Sequence, residues 1–421
     1  MNPYTVIILG TMLFRFVLDF FSNLFNLKRL QPAAPSELAD LYDPEQYRKS
    51  QEYTRTRTNF HFVESTFDLA VTLAFWFSGG FEWLDEIVRG WNFSPIWTGL
   101  LYIGILALAS AILSLPFSIY STFVIEERYG FNRTKPKTFV ADILKGLVLA
   151  VILGGVLLGL ILWLFHTRSS AAWLLCWITT TIFGLFVQYL APVWIMPLFN
   201  KFEPLQEGEL KQAIHDYATR VGFAYRDISV MDGSKRSSKA NAFFTGFGKN
   251  KRIALFDTLV SEQTQPELLA VLAHEIGHYK KKHILQGTIL GILQTGVLFY
   301  LLSIFVSSPG LFEAFRVQHI SVYAGIVFFG MLYQPISFVL SIALHAFSRH
   351  NEFSADQYSV ETGQNPENLI SSLKKLSVKN LSNLTPHPLY VFLHYSHPPL
   401  LERIYALHNV SHEPMSRSNA R

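Results

Sequence analysis

"AVLAHEIGHYKKKHILQGTIL", residues 270–290, decides how the chain is read. Its first half places His274, Glu275 and His278 in an H-E-x-x-H pattern. Its second half passes through Lys280, Lys281 and Lys282 into an apolar run that opens like a membrane span. Residues four apart on a helix share a face, so the imidazoles of His274 and His278 can converge on one metal ion. Glu275 lies about 100° away around the helix axis. There it sits beside such an ion without having to bind it, and can take a proton from water. A surface helix with two solvated histidines is the plain alternative, and the neighbouring residues weigh against it. "QPELLAVLAHEIGHYKKK" is an amphipathic helix opened by Pro266 and Glu267, with Leu269, Leu272 and Ile276 at core spacing. Gly277, next to the second histidine, is unfavourable in a helix and marks the close approach of another element.

Composition sets the surroundings. Of 421 residues, 50% are hydrophobic and only 16% charged, against about 25% charged in a soluble domain. The mean hydropathy is +0.25. The chain reads as an integral membrane protein, predominantly α. The net charge of +4 is small and its basic residues cluster in particular loops. No sustained basic patch is interleaved with aromatics, so nucleic acid is not an expected partner. The single cysteine, Cys176, lies in an apolar run. That excludes an internal disulfide and a cysteine-based zinc site, and Cys176 reads as a small buried hydrophobe.

Seven candidate spans of about 20 apolar residues fall near 4–27, 62–83, 96–119, 143–165, 172–196, 284–307 and 319–345. The first is too long for a signal peptide's apolar region and lacks a small-residue cleavage site, so it reads as a retained span. The second is the weakest, with Glu64 and Asp68 inside it. The first carries Arg15 and Asp19 on one helical face. Such charges either snorkel, pair with each other, or line a water-filled chamber enclosed by the helices, which is the reading preferred here. Lys28, Arg29, Arg48, Lys49, Arg55 and Arg57 follow span one, and Arg128, Arg133, Lys135 and Lys137 follow span three. The alternate loops hold Arg89, Arg168 and Arg316, one each. The basic loops are therefore expected in the cytoplasm, with the N-terminus outside and the C-terminus inside.

This divides the chain into 1–196 (spans one to five), 197–283, 284–345 (spans six and seven) and 346–421. The two non-membrane parts face the cytoplasm and together make a zincin-like catalytic domain with a small β-sheet. In the first part a helix is expected near 206–222, with short strands in "RDISVMDG", "KANAFFTGFG" and "KRIALFD". The terminal "PMSRSNAR" is expected to be disordered.

A catalytic zinc needs a third protein ligand and an open fourth position. Glu352, in "SRHNEFSADQYS", is the candidate, with Asp356 four residues on and on the same helical face. Glu352 would ligate; Asp356 would accept a hydrogen bond from a ligand histidine and fix its tautomer. Two spans separate Glu352 from His278, so the chain returns to the face of the bilayer it left. His283 and His345 flank membrane segments and are expected to be interfacial, and His350 lies on a different face from Glu352. His397, in "HYSHPPLLERI", precedes two prolines that fix the backbone. It could donate a hydrogen bond to an oxyanion.

HEIGH, "SRHNEFSAD", "SKANAFFTGFGKNKRIALFDTL", "VIEERYGFNRTKPKTF" and "SHPPLLERI" together resemble the integral-membrane zinc CAAX prenyl proteases of the a-factor-converting type, over essentially the whole chain. HEIGH is shared by many zinc peptidases; "EERYGFNRT" and the Asn-Ala-x-x-x-Gly-Phe stretch are far more specific. The resemblance implies one Zn²⁺ per chain held by His274, His278 and Glu352, with Glu275 as general base. It implies that Asn241 lies on an edge strand facing the metal, with Ala242, Phe243 and Phe244 in the strand that receives an extended substrate peptide. A free edge supplies backbone donors and acceptors for such an added strand whatever the peptide's sequence. His397 matches a histidine that steadies the transition state, and Arg403 a position that braces the site. A compact chain ending in "SNAR" with no retention signal suggests a prokaryotic member, and a monomer is expected.

The expected activity is a membrane endopeptidase that cuts near the C-terminus of prenylated CAAX-type or other lipid-linked peptides. The alternative is a general membrane quality-control zinc protease, although such chains have about four spans. A site-2-type protease would bury the HExxH within a span, which Lys280, Lys281 and Lys282 argue against. A transporter or scaffold with a vestigial site is the non-enzyme alternative.

Overall fold

The computed structural model describes residues 2–39, 43–168, 171–239, 241–245 and 251–412. The terminal stretch expected to be disordered lies outside them. Helices Pro3–Lys28 (α1), Pro95–Glu126 (α3), Pro136–Thr167 (α4), Ala172–Phe199 (α5) and His283–Phe305 (α8) are each long and apolar enough to cross a membrane. Val322–Leu332 (α9) and Gln334–Glu361 (α10) together make a further span, bent by 51° between them. Pro335, in the first turn of α10, accounts for the break. The region expected as span two, 62–83, is divided: it begins in Pro44–Phe77 (α2), a helix of 34 residues, and after the left-handed Gly79 runs into a second helix, Gly80–Gly90. The polar residues of α2 keep it out of the apolar class that the other spans share. Val151, Ile182, Val193 and Trp194 are among many large apolar side chains left exposed on these helices, as expected of surface that meets lipid.

The acid inside span one meets α2 just ahead of the region expected as span two. Asp19 Oδ2 of α1 lies 2.8 Å from His61 Nε2 of α2. Its other oxygen is 3.5 Å from His394 Nε2 of the short helix Pro388–His394. These groups are only partly buried, so this polar cluster is reached by water. Arg15 does not pair with Asp19; its guanidinium sits 5.4 Å from the centre of the Phe338 ring. One end of the bundle is closed by aromatic packing around Trp76, Phe81, Phe312, Phe315 and Phe328. Phe315 and Phe328 stack at 4.1 Å, and Trp76 Nε1 donates to the Ala314 carbonyl. Cys176 is buried, as its apolar setting requires.

The catalytic part begins with strand Phe202–Pro204 (β1) and helix Glu209–Arg220 (α6). Strands Asp227–Met231 (β2), Ala242–Thr245 (β3) and Arg252–Phe256 (β4) follow. Their order in the sheet is β1-β2-β4-β3. β2 and β4 run parallel, and β1 and β3 pair antiparallel on the outside. The three longer strands fall where their sequence puts them. β1, three residues ending in a proline, carries too little pattern to be foreseen. Ile228, Ile253 and Leu255 of the sheet pack with Ile214, Leu272 and Ile276 in a core of their own.

β3 is a terminal strand, and a long-range clamp sets its position. Lys239 Nζ lies 3.0 Å from both Glu126 Oε2 and the Tyr53 hydroxyl, and 4.3 Å from the centre of the Phe131 ring. Arg236 holds Asp142 with two bonds of 2.7 and 3.0 Å. The "EERYGFNRT" motif thus ends α3 and anchors the strand segment just ahead of Asn241.

Helix Gln265–Lys280 (α7) starts in a capping box: Thr264 and Glu267 each bond the other's backbone. Leu268, Leu272, Ala273 and Ile276 are buried beneath it. α7 crosses α10 at Gly277. A Cβ there would lie 3.1 Å from the Cα and the carbonyl oxygen of Ala355. α10 runs unbroken through position 345, so its far half belongs to the same rod as the membrane span. Helices Pro366–Lys379 (α11) and Leu400–His412 (α12) pack behind it.

Candidate metal centre

The α7–α10 crossing brings one acid and two histidines together. His274 Nε2 and His278 Nε2 are 3.2 Å apart. Glu352 Oε2 lies 3.5 Å from the first and Glu352 Oε1 3.4 Å from the second. Two ligands of a tetrahedral ion at bonds of about 2.0–2.2 Å stand about 3.3–3.6 Å apart. The observed separations are close to that cage, with a different Glu352 oxygen nearest each imidazole. Glu352 Oε2 is buried and accepts no hydrogen bond among the described residues. A buried carboxylate oxygen left without a hydrogen donor is costly unless a cation meets it. The donor set, two imidazoles and one carboxylate, suits Zn²⁺ with a position left open.

Around these atoms sits a charged support. His274 Nδ1 is 2.8 Å from Asp356 Oδ1, which leaves Nε2 facing the other two groups. Arg403, from α12, grips Asp356 with Nε and Nη2 at 2.8 and 2.6 Å, and its Nη1 is 3.5 Å from Glu352 Oε2. Burial would raise the Glu352 carboxyl, but the hydrogen bond from His278 and the charges of His274 and Arg403 hold it down at about 2. Burial also works against Asp356, yet the Arg403 charge and the bonds from His274 and Arg403 hold it well below the usual carboxylate range. Glu275 is different. Burial raises its carboxyl, and the Glu352 charge adds to that, against the lowering effect of His274 and His278. Two neighbouring carboxyls are thus biased in opposite directions, Glu352 toward its ionised form and Glu275 toward its protonated one.

His397 Nε2 lies 3.2 Å from Glu352 Oε1, and its Nδ1 is 3.0 Å from the Ser396 hydroxyl. Most of its ring is open. Asn241, at the start of β3, is exposed and its carbonyl accepts from the Phe256 backbone. Both line the same cavity as Glu275, with a volume of about 610 Å³. Ala242, Phe243 and Phe244 follow in the terminal strand, paired to β4 on one edge. The same cavity is lined by apolar residues of the membrane-spanning helices: Ile284 and Leu290 of α8, Leu344 and Phe347 of α10.

Asn241, His274, Glu275, His278, Glu352, His397 and Arg403 line one cavity, and Asp356 contacts His274 and Arg403. His350 is exposed on α10, away from the cluster. His345 contacts the Leu393 carbonyl at 3.0 Å. His283 departs from its interfacial expectation: its Nδ1 is 3.1 Å from His278 Nδ1. Five residues past His278 is not a helical ligand spacing, so only the turn at Lys282 brings it back. Ser396 escaped notice as well, because a serine before a histidine carries no signal of its own.

Comparison with known proteins agrees with this geometry. A family profile described as "CAAX prenyl protease N-terminal, five membrane helices" matches residues 23–201, and "Peptidase family M48" matches residues 204–411. CAAX prenyl protease 1 of Saccharomyces cerevisiae is 35% identical over 97% of this chain and 96% of its own length. The Arabidopsis thaliana homologue is 34% identical over 96% and 97%, respectively. The crystal structure of S. mikatae Ste24p superposes with a TM-score of 0.89 at 35% identity, covering 97% of this chain and 99% of that one. These relatives are eukaryotic, so the expectation of a prokaryotic member has no support. The inference from compactness fails because those relatives align over nearly their whole length. The chain is a multi-pass membrane protein with a metal-binding cluster, and it belongs to peptidase family M48, as a metalloendopeptidase of the CAAX prenyl protease type.

Proposed function

We propose that the chain is a zinc endopeptidase acting near the C-terminus of prenylated CAAX-type or other lipid-linked peptides, with one Zn²⁺ per chain. One observation carries this reading. The His274, His278 and Glu352 cluster opens on a cavity that is also lined by apolar residues of membrane helices. A substrate with a lipid tail needs both surfaces at once: an apolar place for the tail and water at the amide.

Bound by His274, His278 and Glu352, the metal supplies Lewis acidity toward the scissile carbonyl and the attacking water. Glu275 takes the proton from that water and delivers it to the leaving amine, as its raised pKa suits. His397 donates from Nε2 to the oxyanion that develops at the carbonyl. Asp356 holds the proton on His274 Nδ1, and Arg403 neutralises Asp356. The peptide adds as a strand on the free edge of β3, with Asn241 at its end nearest the metal and Ala242, Phe243 and Phe244 supplying backbone bonds.

The catalytic unit is formed by 197–283 and 346–421, interrupted by spans 284–345, with 1–196 supplying the first five spans. The basic loops favour the cytoplasmic side for that unit. The eukaryotic relatives favour the endoplasmic reticulum over a bacterial inner membrane. Membrane lipids are the other partner, and the functional form is a monomer.

The test incubates purified protein with a farnesylated CAAX peptide and, separately, with an unfolded membrane protein. Products are read by mass spectrometry, with and without a zinc chelator. Chelator-sensitive release of the C-terminal residues from the farnesylated peptide is expected. Cleavage of the unfolded protein alone would instead favour the quality-control role, and cleavage insensitive to chelation would sink the zinc mechanism.

A further inference from the structure

The two proposed histidine ligands are steadied by different chemistry. His274 Nδ1 faces a carboxylate, Asp356 Oδ1, at 2.8 Å. His278 Nδ1 faces another imidazole, His283 Nδ1, at 3.1 Å. We infer that His283 is a positioning residue: a neutral acceptor that fixes the tautomer and ring angle of His278. This rests on the reading of His278 as a ligand.

The argument is one of proton count. A ligating imidazole must present a bare nitrogen, and His278 Nε2 is the one beside His274 and Glu352. The ring proton of His278 is then on Nδ1. A contact between two ring nitrogens is a hydrogen bond only if one of them is bare. So His278 donates, His283 Nδ1 accepts, and His283 keeps its own proton on Nε2. The rings meet edge to face, 76° apart with centres at 5.1 Å, the arrangement in which one ring's N–H can address the other's in-plane lone pair.

Local backbone supports a dedicated position. α7 ends at Lys280, and Lys282 adopts φ 63, a left-handed conformation that a lysine rarely takes. This turn reverses the chain so that His283, the first residue of α8, sits beneath His278. Strain of this kind persists where surrounding contacts demand it. A neutral acceptor also suits the charge balance. Glu352, Asp356 and Glu275 already supply carboxylates against Arg403, and a further anion here would weaken the Lewis acidity of a bound dication.

The experiment measures zinc affinity of the full-length protein in detergent by competition with a chromophoric chelator. The variants are His283→Leu, His283→Asn and His283→Gln. An asparagine amide oxygen takes the place of Nδ1, whereas a glutamine oxygen reaches the place of Nε2. Loss of an outer partner of a ligand typically costs about 10–100-fold in metal affinity, and that loss is expected for His283→Leu. His283→Asn should recover most of it and His283→Gln should not. Thermal unfolding of the metal-free proteins is recorded alongside; a positioning role leaves it unchanged. Should His283→Leu unfold early, the comparison of Asn with Gln decides. Equal affinity in the native protein and His283→Leu, or equal affinity in the Asn and Gln variants, overturns the inference while leaving the metal centre intact. A native protein that binds no zinc overturns both.

Discussion

Gly277 and Ala355 meet backbone to backbone, with 3.1 Å between the position of a Cβ on the first and the Cα of the second. This contact sets how far the two ligand-bearing helices stand apart. Gly277→Ala forces α10 outward by a few tenths of an ångström, and an overpacked contact of this kind costs about 1–3 kcal/mol. Because Glu352 rides on α10, zinc affinity and peptide cleavage both fall, while the membrane spans stay folded. Metal analysis of the purified variant checks this. Native zinc affinity in Gly277→Ala would show that the crossing is looser than the geometry states.

Glu275→Gln keeps the size of the side chain and loses its capacity to carry a proton. The protein stays folded and zinc-loaded, and cleavage drops by about 10²–10⁴-fold, the range spanned by general-base groups. Residual activity near the native rate would refute the assignment of Glu275 as the base.

Arg403 is buried against Asp356 and Glu352. Arg403→Leu strands two carboxylates without their cation, which costs about 3–5 kcal/mol. Arg403→Lys does not restore the loss, because a lysine cannot hold Asp356 with two parallel bonds. Asp356→Asn in the Arg403→Leu background recovers part of it. Unfolding of metal-free protein across this cycle reads the coupling. Strict additivity of the two changes would contradict the contact.

Glu267 provides a pH test outside the membrane. Burial disfavours its ionisation, but Lys375, Ser371 and the Thr264 backbone hold its pKa at about 2. A carboxyl whose folded pKa is depressed contributes stability that is complete above its unfolded pKa and lost as pH falls through the folded one. Lys375 is partly exposed, so Glu267→Ala costs about 1–2 kcal/mol at neutral pH. The gap between native and variant narrows steadily from about pH 4.5 toward pH 2. Unfolding midpoints of the metal-free proteins at pH 7, 4 and 3 follow it; a constant gap contradicts the assignment.

The metal cluster was legible in the sequence because its spacing is a property of one helix. His274 and His278 share a face whatever surrounds them, and Gly277 betrayed the crossing partner by its own poor fit to a helix. Glu352 required the further step of counting spans. What sequence could not disclose lies in contacts across long separations and irregular turns. Lys239 finds Glu126 113 positions away. Asp19 chooses His61 and His394 over Arg15, its neighbour by periodicity. His283 returns to the site only through the left-handed Lys282.

α10 is a single helix of 28 residues, about 42 Å long at 1.5 Å per residue. Its first half belongs to the bent apolar span, while Glu352 and Asp356 lie near the other end. A stiff lever of that length converts a small tilt at the top into a displacement of the acid at the bottom. Turnover is therefore expected to differ between short-chain and long-chain lipids, and equal rates in the two would show that a tilt of α10 does not carry to Glu352.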